Sequence, residues 1–189
     1  TWLDGIALAK RASTVKNGFA GITGQINAEL VRPERDQPFF LNLFTSSEGR
    51  GEMNVHLNKK HKQSHADGLL FHSSIVRNRW DMNDDNFYDA PSRSQINALY
   101  RHTYDGPAGC AQINVQALTD RRQGGQINSL REAGLFGIDQ HNDRLEIWGK
   151  YGKEGIGGKP YQQIGNIASG AWHRYEATFG PNAYRATQQ

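Results

Sequence analysis

The chain predicts an all-β fold, a β-sandwich of two antiparallel sheets in jelly-roll order, and three observations carry that expectation. Apolar residues make up 37% of 189 and fall in short clusters, the size of cluster that a strand uses. Twenty-one Gly and six Pro, with many Asn, Gln and Ser, separate those clusters as turns do. Several clusters alternate strictly, as in Met53-Asn54-Val55-His56-Leu57-Asn58, which is the period of a strand that turns one face to a core. A chain of this length fits one domain, 1–189, with a substantial core.

Taken in order, Leu3 to Lys10 suits a strand or one short helix, and its neighbours favour neither. Strands are expected over Phe19–Leu30, Phe39–Phe44, Glu52–Asn58 and Gly68–Arg77. Four more follow, over Gln95–Arg101, Ala111–Leu118, Leu145–Lys150 and Trp172–Phe179. Turn chemistry lies between them, as in Ser46-Ser47-Glu48-Gly49-Arg50-Gly51 and Tyr104-Asp105-Gly106-Pro107-Ala108-Gly109. One short interior helix is expected around Ser129 to Ala133.

Charge and composition narrow the function classes. No apolar run approaches the roughly 18 residues of a membrane helix, and the start of the chain lacks the apolar core of a signal peptide. The expectation is a soluble protein, cytoplasmic or secreted, with no membrane span. A net charge of +3, with dispersed Lys and Arg, argues against a nucleic-acid partner. Cys110 is the only cysteine, so no intrachain disulfide forms.

Gln-Ile-Asn occurs four times, beginning at Gln25, Gln95, Gln112 and Gln126. The starts follow no fixed period of the kind that marks a repeat architecture. The tripeptide is therefore expected to be a recurring strand solution, with Ile buried and its polar neighbours facing water.

The candidate site begins with His56, Asn58 and Lys60, which an extended strand projects to one side while Val55 and Leu57 form a buried backing on the other. Such a row suits a sugar, whose hydroxyls need placed donors and acceptors. Upstream lie Val15-Lys16-Asn17-Gly18, Gly24-Gln25-Ile26 and Phe39-Phe40-Leu41-Asn42-Leu43; downstream lies Ile75-Val76-Arg77-Asn78 with Trp80. In this order the pieces resemble a galectin carbohydrate-recognition domain over about residues 15–80. The resemblance implies a galectin-like jelly roll. It also implies that His56 and Asn58 bond a galactose hydroxyl, with Asn78 beside them and Trp80 stacking on the sugar's apolar face.

The chain departs from that pattern at named positions. Lys60 stands where the family has Arg, and an ammonium cannot make the paired contacts of a guanidinium. Trp80 follows Asn78 by two residues, and Asp81-Met82-Asn83-Asp84-Asp85-Asn86 replaces the family's G-x-E-x-R. Asp84 or Asp85 is the candidate substitute for the missing Glu, and Arg77 or Arg79 for the missing cation. A fainter echo of the family's hairpin runs through Asp143–Lys150 and Pro160–Ile164, and residues 81–140 exceed a minimal domain, as an insertion would.

No metal or cofactor is expected. Asp81, Asn83 and Asp85 alternate as calcium ligands do, but the Gly and Glu of the stronger template are missing. His56, His61 and His65 do not converge as a zinc site would on a strand and its turn.

Two rivals are weighed. Alginate-lyase-like jelly rolls are echoed by Arg32-Pro33-Glu34-Arg35, Gln112-Ile113-Asn114 and Tyr175-Glu176-Ala177-Thr178 with Tyr184, residues of the type that β-elimination on a uronate needs. Asn114, however, occupies the place of the catalytic His. A structural or adhesin jelly roll without a sugar site is the second rival. The favoured expectation is a non-catalytic lectin for β-galactoside-type or related glycans, acting as a homodimer so that weak sites add up. Acidic glycans are a variant of it, attracted by Lys59, Lys60 and Lys62.

Overall fold

Alternation with short turns is realised as a nearly all-β architecture of two antiparallel sheets. The computed structural model describes residues 2–10, 24–61, 64–77, 79–128 and 134–189. The expected entry motif at 15–18, the start of the first expected strand, Asn78, Lys62 and the expected helix at 129–133 lie outside the described residues.

β1 (Leu3–Lys10) pairs with β2 (Gly24–Leu30) as a two-stranded sheet, so the ambiguous N-terminal cluster is a strand. The larger sheet has eight strands: β3 (Phe39–Thr45), β4 (Arg50–His61), β5 (His65–Val76), β6 (Ser92–Gly106), β7 (Gly109–Gly125), β8 (Gly137–Glu154), β9 (Gln163–Phe179) and β10 (Asn182–Gln188). Their order is β10-β9-β8-β7-β6-β5-β4-β3. Each strand pairs with its predecessor in the chain, so this sheet is an up-and-down meander. The Greek-key crossings by which a jelly roll passes strands between two sheets are absent among the described residues. Residues 81–140 include β6 and β7, in the middle of that order.

The strands are longer than their apolar clusters. β4 to β9 run 12 to 18 residues, against a usual length of about 5–6. Polar residues such as Arg121, Asp139 and Tyr175 extend the ladders past each cluster, because pairing satisfies the backbone whatever the side chain is. The β6–β7 turn is tight: Gly109 has φ of 124°, and a Cβ there would strike the carbonyl oxygen of Gly152. Only glycine suits that position.

Register assigns every strand residue to one of two faces. One row runs Phe40, His56, Leu70, Leu99, Gln116, Glu146 and Ala171 across β3 to β9. The adjoining row of the opposite face runs Leu41, Val55, Phe71, Ala98, Ala117, Leu145 and Trp172. The first face is called the polar face here and the second the apolar face.

Burial follows the faces in an unexpected sense. The buried strand residues, among them His56, Leu70, Leu99, Arg101, Asn114 and Asp120, all belong to the polar face. The apolar face is the exposed one: Phe39, Leu41, Leu43, Leu57, Leu69, Ile96, Ile113, Leu145 and Ile147 are all solvent-accessible. The expected backing of His56 is thus inverted, since Leu57 is 45% exposed while His56 is 3% exposed. The Gln-Ile-Asn segments invert too. Ile26, Ile96 and Ile113 point outward, and Asn114 is fully buried.

Candidate functional site

Chain between β2 and β3 covers part of the polar face and decides what that face can do. Residues 31–38 form a strap fastened at three points. Asn58 donates to Asp36 Oδ2 at 3.0 Å and to the Gln37 carbonyl at 2.7 Å. His56 Nδ1 lies 2.8 Å from the same Asp36 oxygen. Arg101 donates to the carbonyls of Val31 at 2.9 Å and Leu30 at 3.4 Å. Pro33 lies over Gly68, where a Cβ would come within 3.0 Å of its side chain.

Two charged groups at these points are perturbed. Burial alone would raise the Asp36 carboxyl, but the Gln37 amide, His56 and Asn58 together hold it below its ordinary value. Burial lowers the Arg101 pKa, against the attraction of Glu34 and with the repulsion of Arg32. Arg101 also donates to Asn114 Oδ1 at 2.7 Å, which Gln112 reaches at 2.9 Å. A buried guanidinium with this many acceptors is stable where a lone one would not be.

The rest of the polar face is laced in the same way. His72 Nδ1 lies 2.8 Å from Asn54 Oδ1, Gln116 donates to Asn97 at 3.0 Å, and His173 Nε2 lies 2.6 Å from Asn142 Oδ1. Asp120 accepts from Arg93 and Arg122, each at 2.9 Å. Amides, imidazoles and ion pairs joined across strands surround the few buried apolar residues of this face, Ala66, Leu70, Leu99 and Ala177.

The apolar face has the opposite chemistry and defined borders. At the end of the sheet where β4 runs into β5, it carries Lys59, His61, His65, Asp67, His102 and Tyr104. Asp67 gathers His61 at 2.7 Å, His102 at 2.7 Å and the Tyr100 hydroxyl at 2.7 Å. His102, then Tyr100, lead the bonds that lower its pKa. At the other end Arg121, Asp139, His141, Asp143, Arg174, Glu176 and Arg185 form the border. Arg174 and Arg185 both pair with Glu176, at 2.8 and 2.5 Å. Between the borders the outward residues are almost all apolar, including Ala111, Ile113, Val115 and Ala117 on β7 and Leu145 and Ile147 on β8.

The expected sugar-site residues do not assemble into one site. His56 and Asn58 do share a face, as the alternation predicts, but both are engaged by Asp36, and the buried Nε2 of His56 has no partner among the described residues. Lys60 continues the row towards the β4–β5 turn. Trp80 is exposed and lies beyond the opposite end of β5, so the strand separates it from Lys60. Asp84 lies in an exposed turn with φ of 57°, where Asp81 caps the backbone amides of Asp85 and Asn86 at 3.1 and 2.9 Å.

The same holds for the residues of the eliminating-enzyme alternative. Gln112 and Asn114 are neighbours on the polar face, but Tyr175 lies eight positions along β9 from Ile167, which shares the row of Gln112. That is about 25 Å along a strand. No group of three or more His, Cys, Asp or Glu among the described residues is placed to hold a metal ion.

Sequence reasoning missed the strap, because nothing local in Arg32-Pro33-Glu34-Arg35-Asp36 says where it folds. It also assigned the faces in reverse. The signal that could have revealed this is the match between the outward rows of successive strands, which are continuously apolar, and the inward rows, which hold paired amides and charges.

No family model, curated protein or solved structure matches the chain. No helix among the described residues is long and apolar enough to cross a membrane, a fact that leaves strands out of account.

Proposed function

We propose that the chain forms part of the wall of a membrane β-barrel, with its apolar face against lipid and its polar face lining a wet interior that admits hydrophilic solutes. One observation carries this: the long meander places a continuous, exposed apolar band on one side and a hydrogen-bonded polar wall on the other. In a soluble sandwich the apolar side would be the covered one. Apolar-out and polar-in alternation is the pattern of strands in lipid.

Dimensions and borders support the reading. A crossing strand needs about 9–11 residues at its tilt, and β4 to β9 each exceed that with 12 to 18. The apolar stretch moves from Leu43–Phe39 on β3 to Ile164–Trp172 on β9, sliding down the register from one edge to the other. A band level with a membrane does this when strands are tilted across it. Tyr100, Tyr104, Tyr151, Lys59 and the Asp67 cluster occupy one margin, where amphipathic and charged groups meet headgroups. The β1–β2 hairpin repeats the scheme, with Ile6, Leu8 and Ile26 on one side and Gln25, Asn27 and Glu29 on the other.

A second reading, the soluble galectin-like jelly-roll lectin, draws on the His56, Asn58 and Lys60 row. It has weaker support, because two of the three are already bonded to the strap. What it shares with the first is the chemistry of the partner: amides and imidazoles in rows suit hydroxylated solutes, glycans among them.

Trp172 and Trp148 test the proposal, since they lie on opposite faces. With each kept as the only tryptophan in turn, the protein is refolded into phosphatidylcholine vesicles. Brominated acyl chains should quench Trp172 strongly and Trp148 weakly, and aqueous iodide should show the reverse preference. Equal quenching of the two, or a protein that stays off the vesicles, would overturn it.

A further inference from the structure

A cavity of about 740 Å³ opens between the strap and the β4–β5 end of the sheet. Its size falls within the range of about 300–1,000 Å³ usual for small-molecule sites. Three cations from three separate segments line it: Arg32 from the strap, Lys60 from β4 and Lys150 from β8. None of these side chains makes an ion pair among the described residues. Two acids, Glu34 and Asp105, share the lining, so the three cations outnumber them. Glu34 accepts from the Thr103 hydroxyl at 3.4 Å, and Asp105 accepts from the Cys110 thiol at 3.1 Å.

Hydrogen-bonding groups fill in the rest. Lys60, Thr103, Gln112 and Lys150 belong to one row of the polar face, so two ammonium groups bracket a hydroxyl and an amide. Asn166 of β9 also lines the cavity, at the edge where the apolar face reaches it. A surplus of cations over acids favours an anion, and the strongest short contacts ammonium groups make are charge-assisted. The alternating hydroxyl and amides favour a ligand with hydroxyls of its own.

We propose that this cavity is a binding site for a hydroxylated carboxylate, that is, an acidic sugar. The inference rests on the reading of the polar face as the wet side, and it names the class of solute that face receives. Arg32 brings a guanidinium able to take a carboxylate in a paired contact, while Lys60 and Lys150 act as point charges. With Arg32 on the strap, Asp36, His56 and Asn58 become positioning residues for the site.

Titration calorimetry of the whole protein in detergent micelles tests it, with digalacturonate as the probe and lactose as its uncharged counterpart at about 50 mM salt, where exposed charges are weakly screened. Digalacturonate should bind at least tenfold more tightly than lactose. The double variant Lys60→Gln, Lys150→Gln should lose that preference with an unchanged circular dichroism spectrum, while Arg144→Gln, on the same face but far from the cavity, should keep it. Equal affinity for the two sugars, or a preference that survives in the double variant, would overturn the inference. Tryptophan quenching is independent of this result. A protein that inserts with Trp172 in lipid yet shows no charge preference loses only the site, and one that binds digalacturonate but stays off vesicles loses only the membrane reading.

Discussion

Ile113 and Asn114 are adjacent in the chain and opposite in environment. Ile113 looks outward with Ala111, Val115 and Ala117, while Asn114 is 0% exposed and holds the guanidinium of Arg101 at 2.7 Å. The same contrast repeats on β4, β6 and β8, with apolar side chains facing out and bonded polar ones facing in. On the proposed reading lipid lies beyond the apolar side and water beyond the polar one, since covering apolar surface is worth about 25 cal/mol for each Å². The difference between the faces therefore teaches what lies beyond each of them, and it can be broken experimentally.

The largest expected effect comes from charging the outward face. Ile147 stands in a central row of the apolar band, beside Val115 and Gly170, and is 54% exposed. In lipid, Ile147→Arg should cost about 2–4 kcal/mol, the range for a cation near the middle of a bilayer on a barrel's lipid face. Gln116→Lys, one row away on the polar face, should cost about 1 kcal/mol through its lost bond to Asn97. Urea unfolding of both variants in vesicles checks the pair, and equal costs would erase the distinction between the faces.

Next in size is the inner network. Asn114→Ala removes an acceptor from a buried guanidinium and should destabilise the fold by about 1–3 kcal/mol. The same denaturant titration measures it. A neutral result would mean that the polar face is loosely solvated throughout rather than joined across strands.

The smallest effect concerns the strap, and it depends on pH. The Asp36 carboxyl is held below its ordinary value of 3.8. The fastening it provides is therefore fully present above that value and is lost as pH falls through the lower, folded-state value. The protection of amides in residues 31–38 against hydrogen exchange, relative to the intrinsic rate at each pH, should stay high at neutral pH and fall only below about pH 4. Asp36→Asn should exchange faster at neutral pH and lose most of the acid step. A strap that loosens near pH 6 instead would place its control in a group other than Asp36.

Much of the fold was legible in the chain. The eight expected strands overlap described strands, and Leu3–Lys10 proved to be one more, because a period of two with glycine-rich breaks suits little else. β10 escaped notice, since Asn182-Ala183-Tyr184-Arg185 carries no apolar cluster and is held by its pairing with β9. The site was less legible. His56 and Asn58 were placed on one face, but their partner Asp36 lies 20 and 22 residues away, beyond the reach of any local pattern. Lys60 and Lys150 are 90 residues apart in the chain and share a row only because three strands intervene in register.

The sequence by itself determined that the chain alternates, where it turns and which residues share a side of each strand, because those follow from the geometry of one extended backbone. It did not determine which side is covered. Alternation is symmetric: Val55 and Leu57 could be covered or left open with the same spacing. Only the tertiary structure decided between these, by pairing eight strands in chain order, folding residues 31–38 over the polar side and leaving the apolar side open. Burial is a property of what a face meets, and no single strand contains that information.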